Sequence, residues 1–367
     1  MLKKFTVKNF KNFKKSITLD FSTVHDYDFN QDFIKYGLIN KMLIYGKNNT
    51  GKSNLGAAIM DITTHLTDNQ TANYLYKYYL NGDSKESGTV DFEYVFLFDG
   101  KDIIYRYKKD SNRMLVEDEE LYDGDKLLFK YNYTSGIFEN NISEAKTLDI
   151  SKRNTAVPVL KFILNNTQYW EHGSPLKNLK NFVDGMLWFR SLRRNEFMGV
   201  MNDNENLDDF IIENNYLKEF ENFLRECGQQ YTLCEMSLGI KKIIGVKFNK
   251  QCAPFDQVVS TGTLSLWLFF YWMHKNKNIS FIYLDEFDAF YHYDLSEHIL
   301  NIINSRQDFQ SILTSHNTYL IDNNIMRPDC YMQITNGEIK NFADSTNKAI
   351  HKAHNLEKMF LSNEFES

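Results

Sequence analysis

Apolar residues follow two rhythms along this chain. Near the start they alternate: Phe5, Val7, Phe10, Phe13, Ile17, Leu19 and Phe21 predict two strands joined at Lys11-Asn12. A second alternating stretch, residues 88–133, predicts an antiparallel meander with hairpin turns at Asp99-Gly100 and Asp123-Gly124. Elsewhere the apolar runs are continuous. Met42-Leu43-Ile44-Tyr45, Phe281-Ile282-Tyr283-Leu284 and Ser311-Ile312-Leu313-Thr314 read as strands buried on both faces, as in the middle of a parallel sheet. Residues 331–342 predict a further hairpin, turning at Asn336-Gly337. Helical spacing marks Leu55, Ile59, Ile62 and Leu66; residues 264–273 form an apolar helix and 346–360 a helical tail. Residues 151–235 lack alternation and read as mostly helical, with the polar stretch 204–215 as a mobile loop. The pattern predicts an α/β chain with a mixed or parallel central sheet, an antiparallel β lobe and a helical insertion. Its parts are 1–150, 151–250 and 251–367.

Between the first continuous run and the first helical pattern stands Gly46-Lys47-Asn48-Asn49-Thr50-Gly51-Lys52-Ser53. Strand, glycine loop and helix thus follow in the order that a phosphate cradle requires. Gly46 and Gly51 let the backbone turn tightly and bring its N–H groups close to a polyphosphate. Lys52 has the reach for β- and γ-phosphates, and the Ser53 hydroxyl is a ligand for Mg²⁺. The helix would aim its N-terminal dipole at the same anion. Asn48, Asn49, Thr50 and Asn54 complete the candidate nucleotide contacts. A glycine turn before an amphipathic helix is the plain alternative.

Three later motifs bear on that choice. Phe281-Ile282-Tyr283-Leu284 ends in Asp285-Glu286, the Walker B pattern. Asp285 would hold Mg²⁺ and Glu286 would polarise an attacking water; a strand ending in a solvated acidic turn is the alternative. Ser260-Thr261-Gly262-Thr263 opens the apolar helix, 25 residues before Asp285. Its small side chains suit either an anion site or an ordinary N-cap. Thr314-Ser315-His316-Asn317 follows another apolar strand. His316 there is a γ-phosphate sensor or a loop histidine.

Bulk properties narrow the picture further. The chain has 367 residues, 43% hydrophobic and 15% aromatic, enough core for one large domain or two ordinary ones. A net charge of −6 gives no global basic field for nucleic acid, although a local basic face stays open. No apolar run approaches the ~18–20 residues of a membrane span, and no secretory core follows the first residues. Cys227, Cys234, Cys252 and Cys330 include no C-x-x-C pair. Buried or partly buried thiols in a reducing cytoplasm are expected, not zinc or a disulfide framework.

Taken in order, the four motifs resemble the ABC-type ATPase heads of the SMC/RecF superfamily, and more narrowly the AAA15/AAA21-type bacterial ATPases related to the ATPase part of OLD nucleases. Phe5-Thr6-Val7-Lys8-Asn9-Phe10-Lys11-Asn12-Phe13 resembles that group's N-terminal strand. Asp285-Glu286-Phe287-Asp288 with His292, His316-Asn317-Thr318-Tyr319-Leu320, Arg327-Pro328-Asp329 and the tail Lys352-Ala353-His354-Asn355-Leu356 resemble its C-terminal half. The resemblance covers about residues 1–66 and 255–360. It implies a P-loop NTPase fold and a Mg²⁺-dependent ATPase, with Glu286, His316 and Lys52 catalytic and Ser53 and Asp285 on the metal. It also implies ATP sandwiched in a homodimer or higher oligomer, where Lys52 and Ser53 of one subunit face Ser260, Gly262 and Thr263 of another. Relatives of this kind are often bacterial antiviral proteins acting with a separate effector, a nuclease or toxin. A RecF-type DNA repair ATPase and a nucleotide-gated binding module are the alternatives. The 214 residues from Gly46 to Ser260 leave room for the β lobe and helical insertion and argue against a transporter ATPase. The chain departs from the pattern in reading Ser-Thr-Gly-Thr at the signature, and no Q-loop glutamine is placed. Lys11 and Arg193 or Arg194 are phosphate contacts or solvent-facing charges.

Overall fold

The computed structural model describes residues 1–68, 80–83, 88–110, 116–154, 156–167, 174–190, 197–199, 206–275, 278–335 and 337–365. Arg193, Arg194, Asn204 and Asn336, singled out above, lie outside them. The N-terminal part runs β1 (Leu2–Lys8), β2 (Ile17–Asp20), β3 (Ile34–Lys35), β4 (Leu38–Ile39), β5 (Lys41–Tyr45), α1 (Lys52–Ile59) and α2 (Asp61–Leu66). Then come β6 (Thr89–Phe98), β7 (Lys101–Asp110), β8 (Val116–Asp123), β9 (Lys126–Asn132) and β10 (Phe138–Asn140). The middle holds α3 (Val159–Asn166), α4 (Pro175–Asp184), β11 (Met186–Arg190), β12 (Phe197–Gly199), α5 (Leu207–Glu213), α6 (Leu217–Glu226), β13 (Leu233–Leu238) and β14 (Lys241–Lys247). The last part is β15 (Cys252–Pro254), α7 (Phe255–Val258), α8 (Thr261–Lys275), β16 (Phe281–Asp285), α9 (Tyr293–Ser305), β17 (Gln310–Ser315), β18 (Tyr331–Thr335), β19 (Glu338–Asn341) and α10 (Leu356–Leu361).

Two seven-stranded sheets organise these elements. The lobe sheet, in order β10-β9-β8-β7-β6-β1-β2, is antiparallel at every pairing. Its strands alternate buried and exposed residues because each face meets a different environment. The central sheet has the order β12-β11-β16-β17-β5-β18-β19. Its five inner strands run parallel, and its two edge strands are antiparallel. β5, β16 and β17 are buried at every residue, as the continuous runs predict. Each buried Leu or Ile there contributes about 1.5–3 kcal/mol relative to exposure. A small antiparallel sheet, β13-β14-β15, stands apart from both.

The stretch 151–250 departs from its helical expectation. It supplies α3 to α6, but also β11, which pairs in parallel with β16 inside the central sheet. Four residues of apolar run, Met186-Leu187-Trp188-Phe189, are too short to separate strand from buried helix by periodicity. Residues 207–213 of the expected mobile loop form α5, capped by Asn206 through Asp208 N–H. The tail is helical only over α10 and otherwise irregular. Cys227 and Cys330 are buried, whereas Cys252 is exposed, with its Sγ 2.8 Å from that of Cys234.

Buried polar contacts join lobe to core. Asp61, at the start of α2, is fully buried and accepts from Tyr107 Oη and Lys109 Nζ of β7, each at 2.6 Å. Glu119 of β8, equally buried, accepts the first N–H groups of α3 from Val159 (2.7 Å) and Leu160 (2.9 Å). A carboxylate at a helix N-terminus answers donors that the helix cannot satisfy itself. Arg327 and Asp329, buried together at 2.7 Å, hold the backbone of His25 from both sides. That motif is a structural fastening between the ends of the chain.

Candidate functional site

β5 delivers the glycine loop to the C-terminal edge of the central sheet. A Cβ on Gly46 would lie 2.6 Å from Ile334 Cγ2 and from Thr50 Oγ1, so a larger residue cannot pass there. Asn49 (φ 66°) and Gly51 (φ 108°) take the backbone through the left-handed region. Thr50 Oγ1 closes the loop by donating to Lys47 O at 2.9 Å. Gly51 is the N-cap of α1 and no side chain caps that helix, so its first N–H groups remain donors for an anion. Lys52 is 5% exposed and donates to the carbonyls of Gly46 (2.7 Å) and Lys47 (3.2 Å). Burial lowers its pKa, against the pull of Asp285, Glu286 and Asp288. Asn48 and Asn49 are exposed on the loop. Asn54 turns away from it and donates to Asn12 Oδ1 at 2.7 Å.

β16 brings Asp285 and Glu286 to the same edge. Asp285 is fully buried; its Oδ1 accepts from Thr314 Oγ1 at 2.9 Å. Thr314 Oγ1 also accepts the Glu286 N–H at 2.8 Å. Glu286 has φ 48°, a left-handed conformation in a residue with a long side chain. Such outliers persist where the surroundings over-determine them, and they cluster at functional sites. Tyr283, on the same strand, donates from Oη to Lys52 O at 2.5 Å. Gly56 permits that approach: a Cβ there would lie 2.6 Å from the Tyr283 ring and 2.9 Å from Trp188 Nε1.

The decisive contact comes from β11. Arg190, at the end of that strand, donates from NH2 to Ser53 Oγ at 2.8 Å and to Asp285 Oδ2 at 2.7 Å. Its Nε reaches the same Oδ2 at 3.0 Å and stands 3.8 Å from Glu286 Oε2. Ser53 and Asp285 therefore converge on one cationic position. A hydroxyl and one carboxylate are oxygen donors that fit Mg²⁺ completed by phosphate and water. Among the described residues no group of three or more His, Cys, Asp or Glu could hold a metal.

His316 is exposed at the end of β17, beside the loop. Partial desolvation of its ring, then Lys52, lowers its pKa. Asp288 behind it accepts from Ser315 Oγ at 2.5 Å, and its pKa is raised by burial. Gly46, Lys47, Thr50 and His316 line a cavity of 600 Å³, closed on the far side by Gln333, Lys340 and Phe360.

The signature residues stand elsewhere. Ser260 Oγ accepts the Thr263 N–H at 3.2 Å, which makes it the N-cap of α8, and lies 3.0 Å from Thr263 Oγ1. Gly262 is required by packing, since a Cβ would lie 2.8 Å from Phe290 O. Ser260, Gly262 and Thr263 line a different cavity, of 450 Å³, with His292 and Asp294. Thr263 itself is 1% exposed.

Residues 248–322, which carry the signature, Asp285, Glu286 and His316, match the family described as "AAA domain, putative AbiEii toxin, Type IV TA system". The segment from the signature to His316 is therefore similar to that AAA domain. The chain is similar to the SMC head domain from Thermotoga maritima, at 17% identity over 93% of this chain and 98% of that one, with a TM-score of 0.44. It is also similar to an Smc head with an extended coiled coil, derived from Pyrococcus furiosus and bound to the C-terminal domain of ScpA. There the identity is 13%, the coverage 92% and 95%, and the TM-score 0.45. For the recombination mediator protein RecF the values are 16%, 94% and 98%, and 0.39. No curated protein matches the chain.

Sequence reasoning gave no role at the site to two residues that the structure places there. Arg190 ends an apolar run, Met186-Leu187-Trp188-Phe189, as Asp285 does, and that shared pattern was the available signal. Asn12 sits in the turn between β1 and β2 and donates to Thr50 O at 3.2 Å. A Cβ on Gly51 would lie 2.4 Å from it. Its neighbour Lys11 is half-buried and its pKa is lowered by desolvation.

Proposed function

We propose that this head binds ATP with Mg²⁺ between the glycine loop and Asp285, hydrolyses it, and closes as a dimer that controls a separate effector. One observation carries the reading: Ser53 and Asp285, 232 residues apart in sequence, share a single cationic partner. Bound Mg-ATP would supply an electrophilic γ-phosphorus. Lys52 and the first N–H groups of α1 would hold the phosphate chain and neutralise charge developing on it. Glu286, turned by its positive φ, would orient a water and take its proton. His316 would hydrogen-bond the γ-phosphate in its neutral form. Ser260 and Gly262 of a second copy would cover the nucleotide, so that closure depends on the γ-phosphate.

The effector belongs to the same proposal. The matching family is described as an AAA domain and putative AbiEii toxin of a type IV toxin–antitoxin system, which supports a toxin-linked setting; bacterial antiviral defence and a separate nuclease or toxin effector complete the proposal. No observation favours the DNA-loading alternative. No described helix is long and apolar enough to cross a membrane. Calorimetry with ATP and Mg²⁺, phosphate release and light scattering test the reading, with Lys52→Ala as control. Heat, turnover and nucleotide-dependent dimerisation, all lost in the control, are expected. Absence of heat from well-folded protein would overturn it. Co-purification with the product of the adjacent open reading frame tests the effector.

A further inference from the structure

Arg190 stands where the metal of the proposed reaction belongs. Its guanidinium shares the Ser53 hydroxyl and the Asp285 carboxylate, at 2.8 and 2.7 Å. Mg²⁺ binds oxygen at about 2.0–2.1 Å. A cation and a guanidinium cannot use the same lone pairs of Ser53 Oγ and Asp285 Oδ2 together. Nor does pH clear the position, since arginine keeps its proton in proteins. Asp285 is 0% exposed, and a buried carboxylate without a partner is strongly destabilising. With neither Arg190 nor a metal beside it, Asp285 would keep only the Thr314 hydroxyl.

We propose that Arg190 is a positioning residue that serves as a tethered stand-in for Mg²⁺ and is exchanged for it when Mg-nucleotide arrives. This rests on the nucleotide reading above. The exchange leaves neither Asp285 nor Arg190 without a partner. Ser53 and Asp285 pass from guanidinium to metal. Arg190 passes to a phosphate oxygen, which suits its planar fork better than Glu286 does, whose Oε2 stays 3.8 Å from Nε. Mg²⁺ alone brings no phosphate to receive the arginine, so it competes poorly. Mg-ATP brings both halves of the exchange.

Two consequences separate this from a purely structural arginine. Wild-type protein does not bind MgCl2 alone at millimolar concentration, whereas Arg190→Ala does, because its Asp285 lacks a cation. Without metal, wild-type protein retains ATP through Arg190, and Arg190→Ala loses it. The ratio of ATP Kd in EDTA to ATP Kd in Mg²⁺ rises at least about tenfold in the variant. Arg190→Lys keeps the charge without the fork and restores the wild-type ratio in part. Calorimetry with MgCl2 alone, and with ATP in EDTA or in Mg²⁺, reads all of this on folded protein without any turnover. Tight binding of MgCl2 alone by wild-type protein overturns the proposal whether or not the variants fold. So does an unchanged ratio in folded Arg190→Ala. If wild-type protein binds no ATP under any condition, the nucleotide reading fails. Binding of Mg-ATP with an unchanged ratio in Arg190→Ala sinks the exchange alone.

Discussion

The glycine-loop corner and the signature corner use the same materials: a helix N-terminus, a glycine forced by packing, and short hydroxyl side chains. They differ in what they still lack. At the first corner Ser53, Arg190, Asp285 and Thr314 are already joined within one chain, from four separate elements. At the second, Ser260 and Thr263 satisfy each other at the start of α8 and face their own cavity. A site closed upon itself needs only its ligand. A helix start that caps itself has no phosphate partner within reach of the same cavity and gains one only from outside. Under the proposed function, binding falls to one corner and assembly to the other.

The largest expected effect tests the first corner's chemistry. Glu286→Gln lowers hydrolysis at least about 100-fold while ATP affinity is retained; an unchanged phosphate-release rate removes Glu286 from the mechanism. Next comes the loop itself. Gly51→Ala places a methyl 2.4 Å from Asn12 Nδ2 and 2.8 Å from the Phe13 ring, at φ 108°. A loss of about 1–3 kcal/mol is expected, read as a lower Tm, with weaker ATP binding. An unaltered Tm would mean that Asn12 does not clamp the loop.

A pH titration probes the strand that carries this corner. Lys41, at the start of β5, donates to Phe309 O at 2.6 Å, and desolvation lowers its pKa to about 7. Below pH 7 both folded and unfolded chains carry the proton and the burial penalty is complete. Between about 7 and 10.4 the unfolded chain holds a proton that the folded one has released, so stability rises with pH. The Met1 amine, lowered to about 5 by burial, acts in the same direction from 5 to 8. Chemical unfolding from pH 6 to 9 should therefore show increasing stability, by up to about 1.4 kcal/mol per pH unit for Lys41. Lys41→Met should flatten the upper part of that rise; a persistent slope would assign it elsewhere. The smallest effect tests the second corner. Ser260→Ala costs about 1 kcal/mol as a lost cap, leaves ATP binding by dilute protein unchanged, and lowers turnover where the protein is concentrated enough to dimerise. If dilute binding falls as far as turnover, the two corners are not separate.

What could be read from sequence follows the same division. The glycine loop, β5, β16 and β17 were legible because phosphate chemistry and burial on both faces leave local patterns. The lobe was legible through alternation and hairpin turns. β11 was not, since its place is set by pairing with β16, about 95 residues later, and nothing local states that register. Arg190 was hidden for the same reason: an arginine after four apolar residues gains its meaning from Asp285. The tail's apolar residues suggested a longer helix than α10. Instead, His351, Lys352 and His354 turn their carbonyls to Asn323 Nδ2 at 3.0–3.3 Å, and that contact holds the segment in turns.

The order of the central sheet has a consequence for biosynthesis. β5 lies between β17 and β18, so the loop-bearing strand leaves the ribosome long before either neighbour exists. From Tyr45 to Ser315 is 270 residues (315 − 45), or roughly 14–54 s of translation at about 5–20 residues per second. Throughout that interval a nascent Met42-Leu43-Ile44-Tyr45 has no flanking strand to pair with. The glycine loop thus gains its flanking strands only after some 270 further residues have been made.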